Sequence, residues 1–286
     1  MKRRTAWITA TGLVGLGAGV GVGAWGWHRW QAQALLRRAR QPGGLRLGYA
    51  VEPPYVDVDA QGRVGGLMPE LAQLVAQALA VPRLDWVQTD LARLIPDLLD
   101  GRFDVIAAGL FITPARRRQV LCSAPVLRVR SALLLRADRH ALVRDLPALL
   151  AVPGGRVAVL AGSVEASWLL QRGTAPERLL TVPDAQAGAA AVEAGQAEAL
   201  LLSLPSLTVL ASGRPEGWRL LPLRAVADQS PPTGWVAFQF PPGQVGLQTA
   251  WDAAQAGLSG TAAYRDWLQR HSLGAEDLPP PAGAPA

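Results

Sequence analysis

The feature that most constrains this chain is an alternation of short apolar runs with segments that are apolar at helical spacing. It runs from residue 45 to about residue 108 and begins again near residue 156. Such alternation is the pattern of an α/β fold, and its restart predicts two α/β lobes in place of one continuous sheet. In the first series residues 45–51, 84–87 and 103–108 read as strands, and 69–79 and 91–99 as helices, with Pro69 suited to a first turn. In the second, 156–160 and 199–202 read as strands, and 164–171 and 185–194 as helices. The tail at 278–286 is rich in Pro and Ala and is expected to be disordered.

The charge distribution removes one class of function. The 286 residues carry a formal charge of +6, with a pI near 10.5, which by itself suggests nucleic-acid binding. Residues 1–40, however, hold seven basic side chains and no acid, which leaves 21 basic against 22 acidic residues in the body. The surplus therefore belongs to the leader, and no nucleic-acid partner is expected. From Thr5 to Trp27 there are 23 uncharged residues, preceded by Lys2, Arg3 and Arg4. That arrangement marks an export segment, with the body beyond the membrane, in the periplasm or on the outer face of the cytoplasmic membrane. Two readings of residues 1–34 stay open. Ala32-Gln33-Ala34 offers a cleavage site, whereas the length of the run, with Trp7 at one end and Trp25, Trp27 and Trp30 at the other, suits a membrane anchor. No cysteine stands just after the run, which excludes a lipoprotein anchor. A GxGxxA match at Gly19-Val20-Gly21-Val22-Gly23-Ala24 lacks the strand, helix and downstream acid of a dinucleotide site.

Catalytic patterns are sparse. The single cysteine, Cys122, forbids an internal disulfide and is expected to be a buried thiol. His28, His140 and His271 lie far apart without metal-ligand spacing, and His140 and His271 read as surface residues. Neither a GxSxG elbow nor a phosphate-loop lysine is present, since the only lysine is Lys2. No cofactor and no metal are expected.

A set of ordered segments carries more weight. These are Leu45-Arg46-Leu47-Gly48-Tyr49 with Glu52-Pro53-Pro54-Tyr55, Gly65-Gly66-Leu67-Met68-Pro69-Glu70, Gly101-Arg102-Phe103-Asp104-Val105-Ile106-Ala107-Ala108-Gly109 and Ile112-Thr113-Pro114-Ala115-Arg116. Ser123-Ala124-Pro125, Gly162-Ser163, Gly195-Gln196-Ala197-Glu198-Ala199 and Gly234-Trp235-Val236-Ala237-Phe238 continue the series. In this order, across residues 45–272, the chain resembles the type II periplasmic solute-binding proteins of polar amino-acid ABC transporters, family 3 of the bacterial extracellular solute-binding proteins. The Glu52-x-x-Tyr55 pair and the stretch Ala107-Ala108-Gly109-Leu110-Phe111-Ile112-Thr113-Pro114 look most like the branch that binds ectoine and hydroxyectoine.

That resemblance implies the two-lobed type II fold. Lobe one would comprise 45–128 and 235–272, lobe two 129–234, with hinge crossings near 129–135 and 223–234 and a ligand cleft between them. It implies a monomer that captures a small zwitterion and delivers it to an ABC permease. Arg116 would grip a carboxylate by two parallel hydrogen bonds, and Glu52 would face the cationic group. Tyr55 and Phe111 would supply π faces, with Phe111 at the carboxyl end of a strand; Gly109 would lie in the binding loop, and Ser163 would donate at a helix start. Ser203 stands where many α-amino-acid binders carry aspartate, Leu91 where relatives often place an aromatic, and Leu67-Met68 where Phe-Asp is usual. Two other functions stay open: an enzyme on the same scaffold, similar to cyclohexadienyl dehydratase with Glu52 as acid, and a membrane-anchored ligand sensor.

Overall fold

The computed structural model describes residues 34–138, 143–213, 215–223 and 232–280. The apolar run at 5–27, His28, His140 and the end of the tail lie outside them, as does much of the expected second crossing. Among the described residues no helix is long and apolar enough to cross a membrane.

In chain order the elements begin with α1 (Ala34–Ala39), β1 (Leu45–Tyr49), β2 (Asp57–Val58), β3 (Val64–Gly65), α2 (Leu67–Ala78) and β4 (Leu84–Gln88). A 3-10 turn (Leu91–Arg93), α3 (Leu94–Leu99), β5 (Val105–Ile106), α4 (Pro114–Arg117), β6 (Leu121–Cys122) and β7 (Leu127–Arg136) follow. Then come α5 (Leu146–Leu150), β8 (Val157–Leu160), α6 (Val164–Gln171), β9 (Leu179–Val182), α7 (Ala185–Glu193), β10 (Ala199–Ser203) and α8 (Leu204–Ser212). The chain closes with β11 (Trp218–Pro222), β12 (Thr233–Val236), β13 (Gln239–Phe240), α9 (Val245–Leu258) and α10 (Ala262–Arg270).

Two sheets organise these elements. The first runs β4-β1-β5-β13-β6, with β1 parallel to β4 and β5; the second runs β11-β7-β10-β8-β9. The first lobe is closed by α2, whose apolar stripe of Leu67, Met68, Leu71, Ala72, Val75 and Ala76 is buried, as period 3.6 requires of a helix covering a sheet. Its core is aromatic at one end, where Trp251 packs against Phe238 at 4.9 Å and Phe240 at 5.7 Å. The second lobe sandwiches its sheet between two aliphatic layers built on Leu134, Leu160 and Leu200 on one face and Leu133, Val159 and Leu201 on the other.

The ten-residue strand β7 joins the lobes. Its first half pairs with β12 (Leu127 with Val236, Arg130 with Thr233), and its second half pairs with β10 and β11 in the second sheet. β12 in turn bonds the first lobe through Ile112 N–H to Trp235 O and Ala237 N–H to Leu110 O.

Several local expectations are corrected. The helix expected over 91–99 is a 3-10 turn followed by α3, because Pro96 has no N–H to donate to the carbonyl of Ala92. The strand expected over 103–108 contracts to Val105–Ile106. Its start is turned aside where Asp104 accepts from the Arg46 backbone N–H at 2.9 Å and from the Arg46 guanidinium. Cys122 is only half-buried, on edge strand β6 opposite Gln239. His271 is mostly buried, its ring tilted on Trp267 at 5.8 Å and its Nε2 3.2 Å from Glu70, because the end of α10 folds back on α2.

Candidate functional site

The seven residues singled out from the sequence line one cleft between the lobes. Glu52, Tyr55, Gly109, Phe111 and Arg116 come from the first lobe, and Ser163 and Ser203 from the second. Leu91, Ala108, Leu110, Val164, Glu165 and Leu202 complete the wall. The space they enclose is about 20 Å³, room for about one water molecule.

Each side chain is placed by a local device. Beyond β1 the chain turns tightly, with Tyr55 N–H and Val56 N–H both donating to Glu52 O. This turn sets Tyr55 beneath the loop after β5. That loop passes over the ring at Gly109, which has φ +64°; a Cβ there would lie 2.8 Å from Tyr55 Cγ, so only glycine fits. The strand ends at Ile106, so Phe111 does not stand at its carboxyl end as expected; it lies past this turn, held by a bridge to Val236 on β12. Arg116 sits in the first turn of α4, whose N-cap Thr113 accepts from the Arg116 N–H at 3.1 Å. Ser163 caps α6 by accepting from Ala166 N–H at 3.1 Å, and Ser203 ends β10 and caps α8. The helix starts of the second lobe therefore point at the cleft, as α/β sheets place them.

Among the described residues, Arg116 and Glu52 make side-chain hydrogen bonds that cross between the lobes. Arg116 donates from Nη1 to Phe111 O at 3.0 Å and from Nη2 to Gly162 O at 3.1 Å. Three of the five guanidinium N–H groups remain for another acceptor. Glu52 Oε1 accepts from Ser206 Oγ at 2.7 Å and lies 3.4 Å from Ser203 Oγ, at the start of α8. Glu165, in the first turn of α6, accepts from Ser131 Oγ at 2.7 Å. Among the described residues, Glu52, Glu165 and Arg116 form no ion pair.

Burial governs the acidity of these groups. Glu52 is 7% exposed, and desolvation raises its pKa from 4.5 to about 7; the Ser206 and Ser203 hydrogen bonds and Arg116 oppose the rise, while Glu165 adds to it. Glu165, 2% exposed, is also pushed up by burial, against the pull of Ser131 and Arg116. Burial lowers the Arg116 pKa, an effect that Glu165, Cys122 and Glu52 resist. The Tyr55 hydroxyl is held well above the ordinary phenol range by burial and by Glu52.

Sequence reasoning missed Glu165, Ser206 and Ser131. An acid two residues after a serine N-cap reads as a partner of the helix dipole, and only the fold reveals that it is buried. Among the described residues no cluster of side chains could hold a metal ion.

A family model covers most of the chain. The model described as "Bacterial extracellular solute-binding proteins, family 3" matches residues 45–271. A "probable amino-acid ABC transporter periplasmic-binding protein" of Sinorhizobium fredii is 26% identical over 208 residues, covering 72% of this chain and 69% of that protein. The membrane-bound lytic murein transglycosylase F of Shewanella oneidensis is 34% identical over 119 residues, covering 42% of this chain but only 24% of the enzyme. Among solved structures, EhuB in complex with hydroxyectoine superposes with a TM-score of 0.76 at 26% identity, covering 84% of this chain and 93% of that one. A solute receptor for L-cysteine of Neisseria gonorrhoeae gives 0.75 at 19%, covering 86% and 99%, a likeness of fold alone.

Proposed function

Since the chain belongs to the bacterial extracellular solute-binding proteins, family 3, we propose that it captures a small zwitterion outside the cytoplasm and hands it to an ABC permease. Its fold is the two-lobed type II arrangement of that family. The observation that carries the reading is the convergence in one interlobe cleft of a guanidinium with free donors and a buried carboxylate, both from the first lobe. Burying a zwitterion is tolerable only where both of its charges find partners, and Arg116 and Glu52 offer one each. Tyr55 and Phe111 add π faces beside the cationic group. The 26% identity with EhuB and the expected ectoine-type motif favour ectoine, hydroxyectoine or a polar amino acid as the solute.

Delivery follows from closure. Solute binding holds the lobes together, and the closed shape is what the permease reads. The dehydratase alternative, with Glu52 as acid, is tested by assaying turnover of prephenate or arogenate, which the solute-binding reading expects to be absent.

Isothermal titration calorimetry with ectoine, hydroxyectoine, proline and the common amino acids tests the reading. At least one is expected to bind, and Arg116→Ala is expected to abolish that binding by leaving a buried carboxylate unpaired. Near-native affinity in that variant would refute the site.

A further inference from the structure

The hydroxyl of Ser131 has more acceptors than protons. Its Oγ lies 2.7 Å from Glu165 Oε1 and 3.1 Å from the carbonyl oxygen of Pro232, both within hydrogen-bond reach, and it has one proton to give. Two contacts between oxygens need two protons, and the hydroxyl supplies one. If Glu165 carries the other, it donates to Ser131 Oγ, and Ser131 donates onward to Pro232 O. If Glu165 is ionised it takes the Ser131 proton, and the contact with Pro232 is left without one. Two further bonds persist in either state: the Glu165 carboxyl accepts from its own backbone N–H, and Pro232 O accepts from the Ser131 N–H at 3.0 Å. Glu165 and Ser131 are buried, as is Pro232, so the row of oxygens is shielded from bulk water.

The charges around this row point the same way. Among the described residues, Glu165 is faced by Arg116 of α4 and by Glu52 and Tyr55 of the turn after β1, with Cys122 of β6 close to Arg116. With both glutamates ionised these groups sum to −1, and a zwitterion adds no net charge. Its carboxylate would occupy Arg116 and its cation Glu52, which leaves an ionised Glu165 as a buried charge without a counter-charge, a costly state. Burial already pushes the Glu165 carboxyl up, against Ser131, its own N–H and Arg116; a solute carboxylate on Arg116 offsets the last of these.

We propose that Glu165 takes up one proton from solvent as the cleft closes over a zwitterion, so that capture is proton-linked and the bound cleft is neutral. The inference rests on the solute-binding reading and deepens it. Glu165 serves as a positioning residue that acts through Ser131. Ser131 is where β7 changes partners, since Arg130 pairs with Thr233 of β12 and Ser131 with Ser203 of β10. A protonated Glu165 completes the row from the start of α6 through Ser131 to Pro232, and so fastens the cleft wall to the strands that join the lobes. Uptake of a proton on binding means that affinity falls as pH rises, by up to about tenfold per pH unit.

Calorimetry on the full chain in detergent tests this, with whichever of ectoine, hydroxyectoine, L-proline and L-glutamine binds most tightly. At pH 8 the heat is expected to vary with the ionisation enthalpy of the buffer in the sense of proton uptake, and the affinity to fall by up to about tenfold between pH 7.5 and pH 8.5. Glu165→Gln, whose amide stands in for the protonated acid, is expected to bind without uptake, to vary less than about twofold over that range and to bind more tightly than the wild type at pH 8.5. An infrared difference spectrum on adding solute should show the carbonyl stretch of a newly protonated carboxylic acid in the wild type and not in the variant. The thermal midpoint reports whether the variant is folded, and the wild-type heats decide the matter without it. Binding to the wild type with no proton uptake would overturn the proposal and leave the solute-binding reading standing. Uptake that persists in folded Glu165→Gln would do the same, since the proton would then sit on another group. Failure of every solute to bind the wild-type chain would overturn both.

Discussion

Glu52 places an ionisable group with a pKa of about 7 in the contact between the lobes. The folded chain binds this proton more tightly than the unfolded chain does, whose glutamate titrates near 4.5. The group therefore favours the folded form most below that value, and stability falls as pH rises from about 4.5 to about 7, by up to ~3 kcal/mol. Thermal melts at pH 5 and pH 8 should show a smaller difference for Glu52→Gln than for the wild type. Equal differences would mean that Glu52 titrates normally. At this scale Arg116 was marked out by the likeness of Ile112-Thr113-Pro114-Ala115-Arg116 to the family's motif, and a guanidinium suits a carboxylate. Glu165 was not, because burial is a property of the folded surface and the same residue type at the same helix position is usually solvated.

Helix starts and the loops before them do most of the positioning. Between β8 and α6 the chain turns at Gly162, with φ +76°, and a Cβ there would lie 2.7 Å from the Cα of Ala92 on the other lobe. Gly162 also supplies the carbonyl that Arg116 holds across the cleft. Gly162→Ala should therefore obstruct closure while sparing each lobe. Solute affinity is expected to drop tenfold or more, and small-angle scattering should show a larger radius of gyration with solute present than for the wild type. Unchanged affinity would show that the loop yields. Helix α2, with its clean apolar period, and α6, with its serine N-cap, were readable from the sequence, since periodicity and capping are local. The segment 91–99 was not, because Pro96 removes one backbone donor and the chain around it must be satisfied by tertiary contacts.

Across the molecule, β7 and β12 carry the chain between the two sheets, and we read them as the hinge about which the cleft opens. The N-terminal helix α1 belongs to the first lobe: Ala39 is fully buried, Leu35 and Leu36 pack on the core, and Arg38 lies 2.6 Å from Asp104. A chain starting at Gln41 should be less stable than one starting at Gln33 by ~2 kcal/mol, several degrees in thermal midpoint. Equal midpoints would show that α1 contributes no folding energy. Since α1 begins seven residues after Trp27, an anchor retained at 5–27 would hold the first lobe close to the membrane. The intact mass of exported protein decides whether that anchor is kept. The sequence by itself determined the two α/β series and the near-neutral body behind a basic first forty residues, because periodicity and charge are carried by each segment alone. Only the tertiary structure decided that Ser206 meets Glu52 across the lobes and that Glu165 lies buried on the wall of the same cleft. The Glu52–Ser206 contact joins residues 154 positions apart, and its energy depends on how much water the closed lobes exclude.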